Sequence, residues 1–97
     1  MAAYIIVEVE TTDEALMAEY RKHTPGAIAK FAGKFIVRGG KTKTLEGDWT
    51  PSRVVIVQFP SMEQARAWHR SAEYAIAREL RLASSRTQML LFEGRPS

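Results

Sequence analysis

The sequence predicts an α+β domain in which two helices alternate with four strands. Short runs rich in β-branched and aromatic residues, typical of strands, occupy residues 3–9, 34–38, 53–59 and 87–93. Segments with helical periodicity lie between the first and second runs and between the third and fourth runs. The resulting order, β-α-β-β-α-β, is the split pattern of ferredoxin-like folds. We therefore expect a four-stranded antiparallel sheet in the order 4-1-3-2, with both helices on one face.

Length and composition limit the class of protein. The chain of 97 residues favours a single domain over residues 1–97, and its composition is that of a soluble globular protein. It has no cysteine, so disulfide and thiolate chemistry are excluded. The net charge is +3, but acidic and basic residues are interleaved, as on solvated helices. The apolar run near the start ends at Glu8, too short for a signal peptide or a membrane span. We expect a cytoplasmic protein with no membrane partner.

The first helix should begin after Asp13 and end at Gly33. Pro25 interrupts its pattern, so we expect a kinked or broken helix near His23 and Thr24. The predicted inward stripe is Leu16, Tyr20, His23, Ala27 and Phe31.

The second helix should begin at Ser61, which follows a proline and offers a cap. Ser71 marks a probable bend, because the residues around it can restart a helix. The predicted inward stripe is Ala65, Trp68, Ala72, Ala75 or Ile76, Leu80 and Ala83.

Strand alternation predicts a sheet with two largely apolar faces. The face expected under the helices carries Ile5, Val7, Val9, Phe35, Val37, Val55, Val57, Phe59, Leu90 and Phe92. The opposite face is expected to carry Tyr4, Ile6, Glu8, Ile36, Arg38, Val54, Ile56, Gln58, Met89 and Leu91. A solvated face would alternate to polar residues, so we expect a second copy of the sheet to cover this one in a homodimer. RNA-recognition modules share this topology, but the third strand lacks their stacking aromatics, so we expect no nucleic-acid partner.

Polar side chains should converge at one end of this sheet, around the loop 39–52. At about fourteen residues, this loop exceeds the usual hairpin length and is typical of loops that carry function or reach a partner. Its two bracketing arginines match a carboxylate, either that of Glu46 or Asp48 in a clamp that holds the loop or that of a small anionic ligand. The candidate ligand-binding residues are Glu8, Arg38, Glu46, Trp49, Arg53 and Tyr74.

The two histidines are the candidates for a catalytic role. His23 on the inward stripe is either a core histidine or a general base or haem ligand inside the helix–sheet cavity. His69 should lie near the same sheet end as the arginines. No motif links the two at metal-ligand spacing, so we expect no metal ion and no cofactor. Whether any catalysis takes place stays open.

Several blocks of residues, spread over nearly the whole chain, carry a resemblance to a known family. They are Arg38-Gly39-Gly40, Leu45-Glu46-Gly47-Asp48-Trp49, Pro51, Arg53, Phe59-Pro60-Ser61, Ala65, Trp68, Ser71, Glu73-Tyr74 and Glu93-Gly94. In these blocks the chain resembles a mainly bacterial family of domains of unknown function. The resemblance implies a ferredoxin-like fold in the dimeric α/β-barrel superfamily, which includes cofactor-free monooxygenases, muconolactone isomerases and haem-dependent enzymes. Ala32 stands where that family usually has a glycine.

Two functional interpretations follow. In the first, a homodimeric α/β barrel binds or transforms a small, anionic metabolite in a pocket near the loop between the second and third strands. In the second, the dimer binds or supports structure without chemistry, and the loop clamps the subunit interface.

Overall fold

The computed structural model describes residues 1–95 and contains four strands and three helices. In chain order they are β1 (Ala3–Thr11), α1 (Glu14–Lys30), β2 (Lys34–Arg38), β3 (Val54–Phe59), α2 (Met62–Arg70), α3 (Ala72–Ser84) and β4 (Ser85–Glu93). The strands form one antiparallel sheet in the order β2-β3-β1-β4, and the helices lie on one face. The ferredoxin-like topology predicted from the sequence is confirmed, with the second predicted helix divided into α2 and α3.

The first helix is continuous through its proline. Asp13 caps it by accepting a hydrogen bond from the Leu16 N–H at 3.1 Å. The helix runs on past Pro25, so the predicted break is wrong. The loss of one N–H donor at the proline removes one hydrogen bond and does not end the helix, because the turns on either side pack against the sheet.

The inward stripe of α1 differs from the predicted one by about one residue. Its buried side chains are Met17, Thr24, Ala27 and Ile28. The histidine predicted on this stripe, His23, has 49% of its side chain exposed and lies 4.0 Å from Glu19. It therefore does not enter the helix–sheet interior.

The turn after α1 contains a strained residue. Gly33 donates its N–H to the Ile28 carbonyl at 2.9 Å, while Ala32 before it has φ of 62°. A left-handed conformation costs a residue with a Cβ about 1–2 kcal/mol. We expect Ala32→Gly to raise the free energy of unfolding by roughly 0.5–1 kcal/mol, because greater flexibility of the unfolded chain offsets part of the relief. The urea midpoint should rise with an unchanged slope.

The control for this substitution is Ala29→Gly. Ala29 is exposed within α1, where glycine costs about 1 kcal/mol relative to alanine. The two substitutions make the same chemical change three residues apart and should shift the midpoint in opposite directions. Equal losses from both would contradict the strain at Ala32.

One serine separates α2 from α3, at the bend predicted from the sequence. The Ser71 hydroxyl donates to the Trp68 carbonyl at 2.7 Å and accepts from the Tyr74 N–H at 3.1 Å, so it caps both helices. Ala65 and Trp68 are buried on α2 as predicted. The change of phase at the serine shifts the rest of the stripe, so the predicted Ala72 and Ala83 are exposed, while Ala75 and Leu80 are half-buried. The buried side chains of α3 are Tyr74, Ala77, Arg81 and Ser84.

The last strand presents the opposite side chains from those predicted. In the register with β1, Ile5 lies opposite Leu91 and Val7 opposite Met89, so Met89 and Leu91 face the helices. Leu90, predicted in the core, is 62% exposed on the other face. Phe92 shares that face and is 40% exposed. The alternation of β4 gave no guide to its phase because both of its faces are apolar.

A bulge in β2 reverses the second half of that strand. Phe35 pairs with Val57, but Val37 pairs with Ile56 and Arg38 with Val55, which leaves one extra residue between the pairs. Because a bulge shifts the alternation by one, Arg38 returns to the helix side of the sheet. Its guanidinium carbon lies 4.2 Å from the centre of the Phe35 ring. The prediction that Arg38 shares a face with Glu8 is therefore wrong, as is the prediction that Val37 lies under the helices.

The side of the sheet away from the helices is largely apolar, and we call it the open face. Its apolar members are Tyr4, Ile6, Val37, Val54, Ile56, Leu90 and Phe92, and the polar residues Glu8, Gln58 and Gln88 share it. The Tyr4 and Phe92 rings stack across β1 and β4 with their centres 5.7 Å apart. No helix covers this face within residues 1–95. In the same residues, no helix is both long enough and apolar enough to cross a membrane.

Candidate ligand cavity

A cavity of about 60 Å³ lies between α1, the last turn of α2 and the sheet. Its walls are Val7, Val9, Met17, Tyr20, Arg21, Thr24, Ile28, Phe35, Arg38, Arg53, Val55, Val57, Trp68 and Met89. At roughly 10–15 Å³ for each water-sized molecule, 60 Å³ has room for about four to six non-hydrogen atoms. The cavity can therefore hold a short chain or one small ring.

Three arginines contribute to the cavity wall, and we call Arg21, Arg38 and Arg53 the arginine rim. Arg38 is exposed and the other two are half-buried, so their charged ends lie toward solvent while apolar side chains line the interior. Arg21 pairs with Glu14 at 3.2 Å. Neither of the others is in an ion pair within residues 1–95, and the wall includes no carboxylate. The rim therefore favours an anion.

The absence of a side chain at Gly39 leaves room for one of these arginines. It has φ of 72° and donates its N–H to the Val54 carbonyl at 2.9 Å. A Cβ added there would lie 2.5 Å from the Arg53 Nε and 2.7 Å from its guanidinium carbon. The absence of a side chain thus lets Arg53 pack directly on the backbone where β2 ends. The Arg53 carbonyl accepts from the Val9 N–H at 2.9 Å, which joins it to β1.

A pair of tyrosine hydroxyls lies at the cavity wall and directly behind it. The hydroxyls of Tyr20, on the cavity wall, and Tyr74, on α3, lie 3.0 Å apart. Burial raises the pKa of Tyr74 well above its ordinary value, so this phenol stays protonated at all physiological pH values. The candidate ligand residue Tyr74 is fully buried behind Tyr20 and does not itself line the cavity.

The long loop lies on the other side of the sheet. The Trp49 Nε1–H donates to Glu8 Oε2 at 3.0 Å, and the Trp49 carbonyl accepts from the Thr44 hydroxyl at 2.5 Å. The loop borders a shallow hollow of about 460 Å³ over the open face, whose wall includes Glu46. Leu45 is 85% exposed and Trp49 is 56% exposed. None of the four ion pairs within residues 1–95 involves Glu46, so the structure does not show the clamp expected for it.

The candidate ligand-binding residues therefore separate into two groups. Arg38 and Arg53 meet in the cavity on the helix side. Glu8, Glu46 and Trp49 gather around the loop on the open face. The bulge in β2 causes this separation, because it moves Arg38 through the sheet.

The second histidine lies outside the cavity. His69 borders a groove between α2 and the sheet, and its carbonyl accepts from Arg78 at 2.6 Å. Partial burial lowers the pKa of His69, and the cations of Arg78 and Arg81 lower it further, so neutral imidazole is favoured. Residues 1–95 contain no group of three or more His, Cys, Asp or Glu placed to hold a metal ion.

Three polar residues of the cavity wall, Tyr20, Arg21 and Thr24, were missing from the candidates chosen from the sequence. Tyr20 was assigned to the core stripe, and Arg21 was not selected because it was counted among the solvated charges. The signal was present in the spacing: residues 17, 20, 21, 24 and 28 share one helical face. A predicted inward face centred on Met17 would have placed Arg21 on the side of the helix that faces the sheet.

The fold and the cavity define a small ferredoxin-like α+β domain with a ligand-sized cavity between helices and sheet. Residues 2–95 match the family described as a domain of unknown function (DUF1330), and the chain belongs to that family. The family resemblance read from the sequence is thereby confirmed. No protein with a curated description matches the sequence.

Solved structures with the same fold are similar over nearly their whole lengths. A protein of unknown function from Rhodopseudomonas palustris, RPA0582, has a TM-score of 0.80 and 16% identity, covering 99% of this chain and 84% of that one. A dimeric ferredoxin-like protein of unknown function from Jannaschia sp. CCS1 has a TM-score of 0.72 and 18% identity, covering 97% and 100%. SnoaB, a cofactor-independent oxygenase from Streptomyces nogalater, has a TM-score of 0.69 and 18% identity, covering 99% and 95%.

Proposed function

We propose that the protein is a cytoplasmic homodimer that binds a small carboxylate in the helix–sheet cavity. The observation that carries the ligand class is the arginine rim. Arg38 and Arg53 border an apolar cavity, lack carboxylate partners in residues 1–95, and present planar forks that match a carboxylate. The apolar part of the ligand would occupy the interior, and its charge would lie at the rim.

The open face supports the homodimer. A continuous set of apolar side chains crosses all four strands, and patches of this kind usually mark interfaces. A second sheet packed face to face about a two-fold axis would bury the same residues of both copies. The proteins of similar fold from Jannaschia sp. CCS1 and Bacteroides fragilis are described as dimeric.

The cavity supports binding more strongly than catalysis. Its wall includes no histidine and no carboxylate, and both catalytic candidates, His23 and His69, lie outside it. Tyr20 is the wall residue that can exchange a proton most readily. SnoaB, of similar fold, is named an oxygenase, but the wall of this cavity includes no histidine or carboxylate to act as a general base.

The second candidate function is a dimer without a ligand, whose loop clamps the interface. The hydrogen bond from Trp49 to Glu8 favours it, because this bond fixes the loop over the open face. This candidate predicts that small carboxylates do not perturb residues of the cavity wall.

The test is a titration of labelled protein with pentanoate, followed by amide chemical shifts. Pentanoate places four carbons behind one carboxylate, which suits the cavity. We expect shifts at wall residues, and we expect Arg38→Gln and Arg53→Gln each to weaken binding about 10- to 150-fold, the usual loss for a hydrogen-bonded charge.

The control is Arg66→Gln, which removes the same charge from an exposed position of α2 outside the cavity wall. It should weaken binding less than about 2-fold, because exposed charges at a distance are screened by salt. The proposal fails if pentanoate leaves the wall residues unperturbed, or if Arg66→Gln weakens binding as much as the rim substitutions.

A further inference from the structure

The hydroxyl pair in the cavity has one proton that no protein group accepts. Tyr20 and Tyr74 share one hydrogen bond of 3.0 Å, and either oxygen can be its donor. Two hydroxyls carry two protons, so one is used within the pair and the other must point elsewhere. Whether it points into the cavity depends on which tyrosine donates.

The burial of Tyr74 decides which of the two hydroxyls donates the hydrogen bond between them. Tyr74 is fully buried on α3, two turns from the 7% exposed Arg81. The guanidinium of Arg81 donates to the Thr87 hydroxyl and has no ion pair within residues 1–95. Burial raises the pKa of Tyr74 and the neighbouring Tyr20 raises it further, while the charge of Arg81 acts in the opposite direction. The Tyr74 hydroxyl therefore keeps its proton.

Within residues 1–95 the Tyr74 hydroxyl has a hydrogen-bond partner only in Tyr20, which is half-buried whereas Tyr74 is fully buried. The proton of Tyr74 is then left to find an acceptor, and a fully buried hydroxyl cannot use bulk water. The acceptor that the structure places within reach is the Tyr20 oxygen. Tyr74 therefore donates to Tyr20, and the proton of Tyr20 is free to point into the cavity whose wall Tyr20 forms.

We propose that Tyr20 donates a hydrogen bond to a second oxygen of the ligand, which makes the ligand class a small oxo- or hydroxycarboxylate. This inference rests on the proposed binding of a carboxylate at the arginine rim. A purely aliphatic chain would leave the Tyr20 proton facing apolar atoms, whereas a carbonyl or hydroxyl oxygen would accept it. A site built to hydrogen-bond an oxygen discriminates against the analogue that lacks it.

The test compares two matched pairs of probes: pentanoate with 4-oxopentanoate, and hexanoate with 5-oxohexanoate. Each pair has one carboxylate and differs by one ketone oxygen, and the two lengths vary its depth. In the wild-type protein we expect the oxo acid of at least one pair to bind about 2- to 12-fold tighter, the range for one net hydrogen bond. Tyr20→Phe should bring that ratio to about 1.

Two further substitutions separate donation from a structural role. Tyr4→Phe makes the same change on the open face, where the ring stacks on Phe92, and should leave the ratio unchanged. Tyr74→Phe keeps the Tyr20 proton and should preserve the preference for the oxo acid. If Tyr20 instead donates to Tyr74, the preference will be absent from the wild type and will arise only in Tyr74→Phe, which overturns the proposal.

The ratio also separates this inference from the proposed function. A general disturbance of the cavity by Tyr20→Phe would weaken both acids of a pair equally and leave their ratio as in the wild type, which also overturns the proposal. Equal binding of both acids by the wild type at both lengths, with sensitivity to Arg38→Gln, would reject the role of Tyr20 alone. Failure of all four acids to bind would reject the carboxylate site itself.

Discussion

Leu90→Asp is expected to convert the protein from a dimer into a monomer of 10.9 kDa. Leu90 is 62% exposed in one chain and pairs with Ile6 in the register of β4 with β1, so it lies within the open face. In a two-fold dimer each substitution appears twice, and each buried carboxylate without a partner costs several kcal/mol. The dissociation constant of the dimer should therefore rise by roughly a thousandfold or more. Light scattering after size exclusion, over a range of micromolar concentrations, measures the mass directly.

Leu82→Asp is the matched control for this experiment. Leu82 is 59% exposed on α3, so the two leucines expose nearly the same fraction of surface but lie on opposite sides of the molecule. The Leu82 variant should keep twice the monomer mass. A wild-type protein that is monomeric throughout would remove the homodimer, and dissociation by both substitutions would show that the open face has no special role.

Ile28→Ala is expected to lower the free energy of unfolding by about 2–5 kcal/mol, the range for aliphatic truncations in a core. Ile28 is 2% exposed, lines the cavity, and packs against the turn in which Gly33 would place a Cβ only 2.8 Å from the isoleucine's Cγ2. Truncation removes its burial and enlarges an existing void, which the surroundings fill only in part. Urea unfolding at a fixed chain concentration measures the loss, because the stability of a dimer depends on concentration.

Ile76→Ala removes the same atoms from a position of α3 that is 67% exposed. Both sites are helical, so the change in helix propensity is similar in the two variants and their difference isolates burial. The Ile76 variant should stay within about 0.5 kcal/mol of the wild type. A loss at Ile76 as large as that at Ile28 would contradict the assignment of the core.

The topology was predictable from the sequence because its signals are local. β-Branched runs, a cap at Asp13 and a cap at Ser61 mark where elements begin, and the order of elements leaves few ways to arrange a sheet. The bend at Ser71 was predictable for the same reason, since a serine can cap a helix wherever the chain permits.

The phases of β2 and β4 were not predictable, because they depend on pairing with neighbouring strands. Leu90 and Leu91 are equally apolar, and the register with β1 alone decides which of them faces the helices. The bulge in β2 leaves no mark on its composition. The largest error at the site was the side of the sheet predicted for Arg38. Because the bulge moves Arg38 to the helix side, it divides one predicted cluster between two faces of the sheet.

The kind of side chain at the candidate site could be predicted from the sequence, but the full set of residues that form the site could not. Arg38 and Arg53 stood out because they bracket a long loop, and the structure brings both to one cavity. Tyr20 did not stand out, because a tyrosine on a helical stripe is usually core. The role proposed for it rests on its hydrogen bond to Tyr74 and on the burial of Tyr74, which depend on the tertiary structure.

The two hydrogen bonds of Ser71 have a mechanical consequence for the cavity. One bond holds the carbonyl of Trp68, whose ring is part of the cavity wall, and the other holds the N–H of Tyr74, which supports Tyr20 from behind. A single hydroxyl thus fixes the position of Trp68, in the cavity wall, relative to Tyr74, which lies behind Tyr20. A substitution at Ser71 would therefore change the shape of the cavity without changing any residue of its wall.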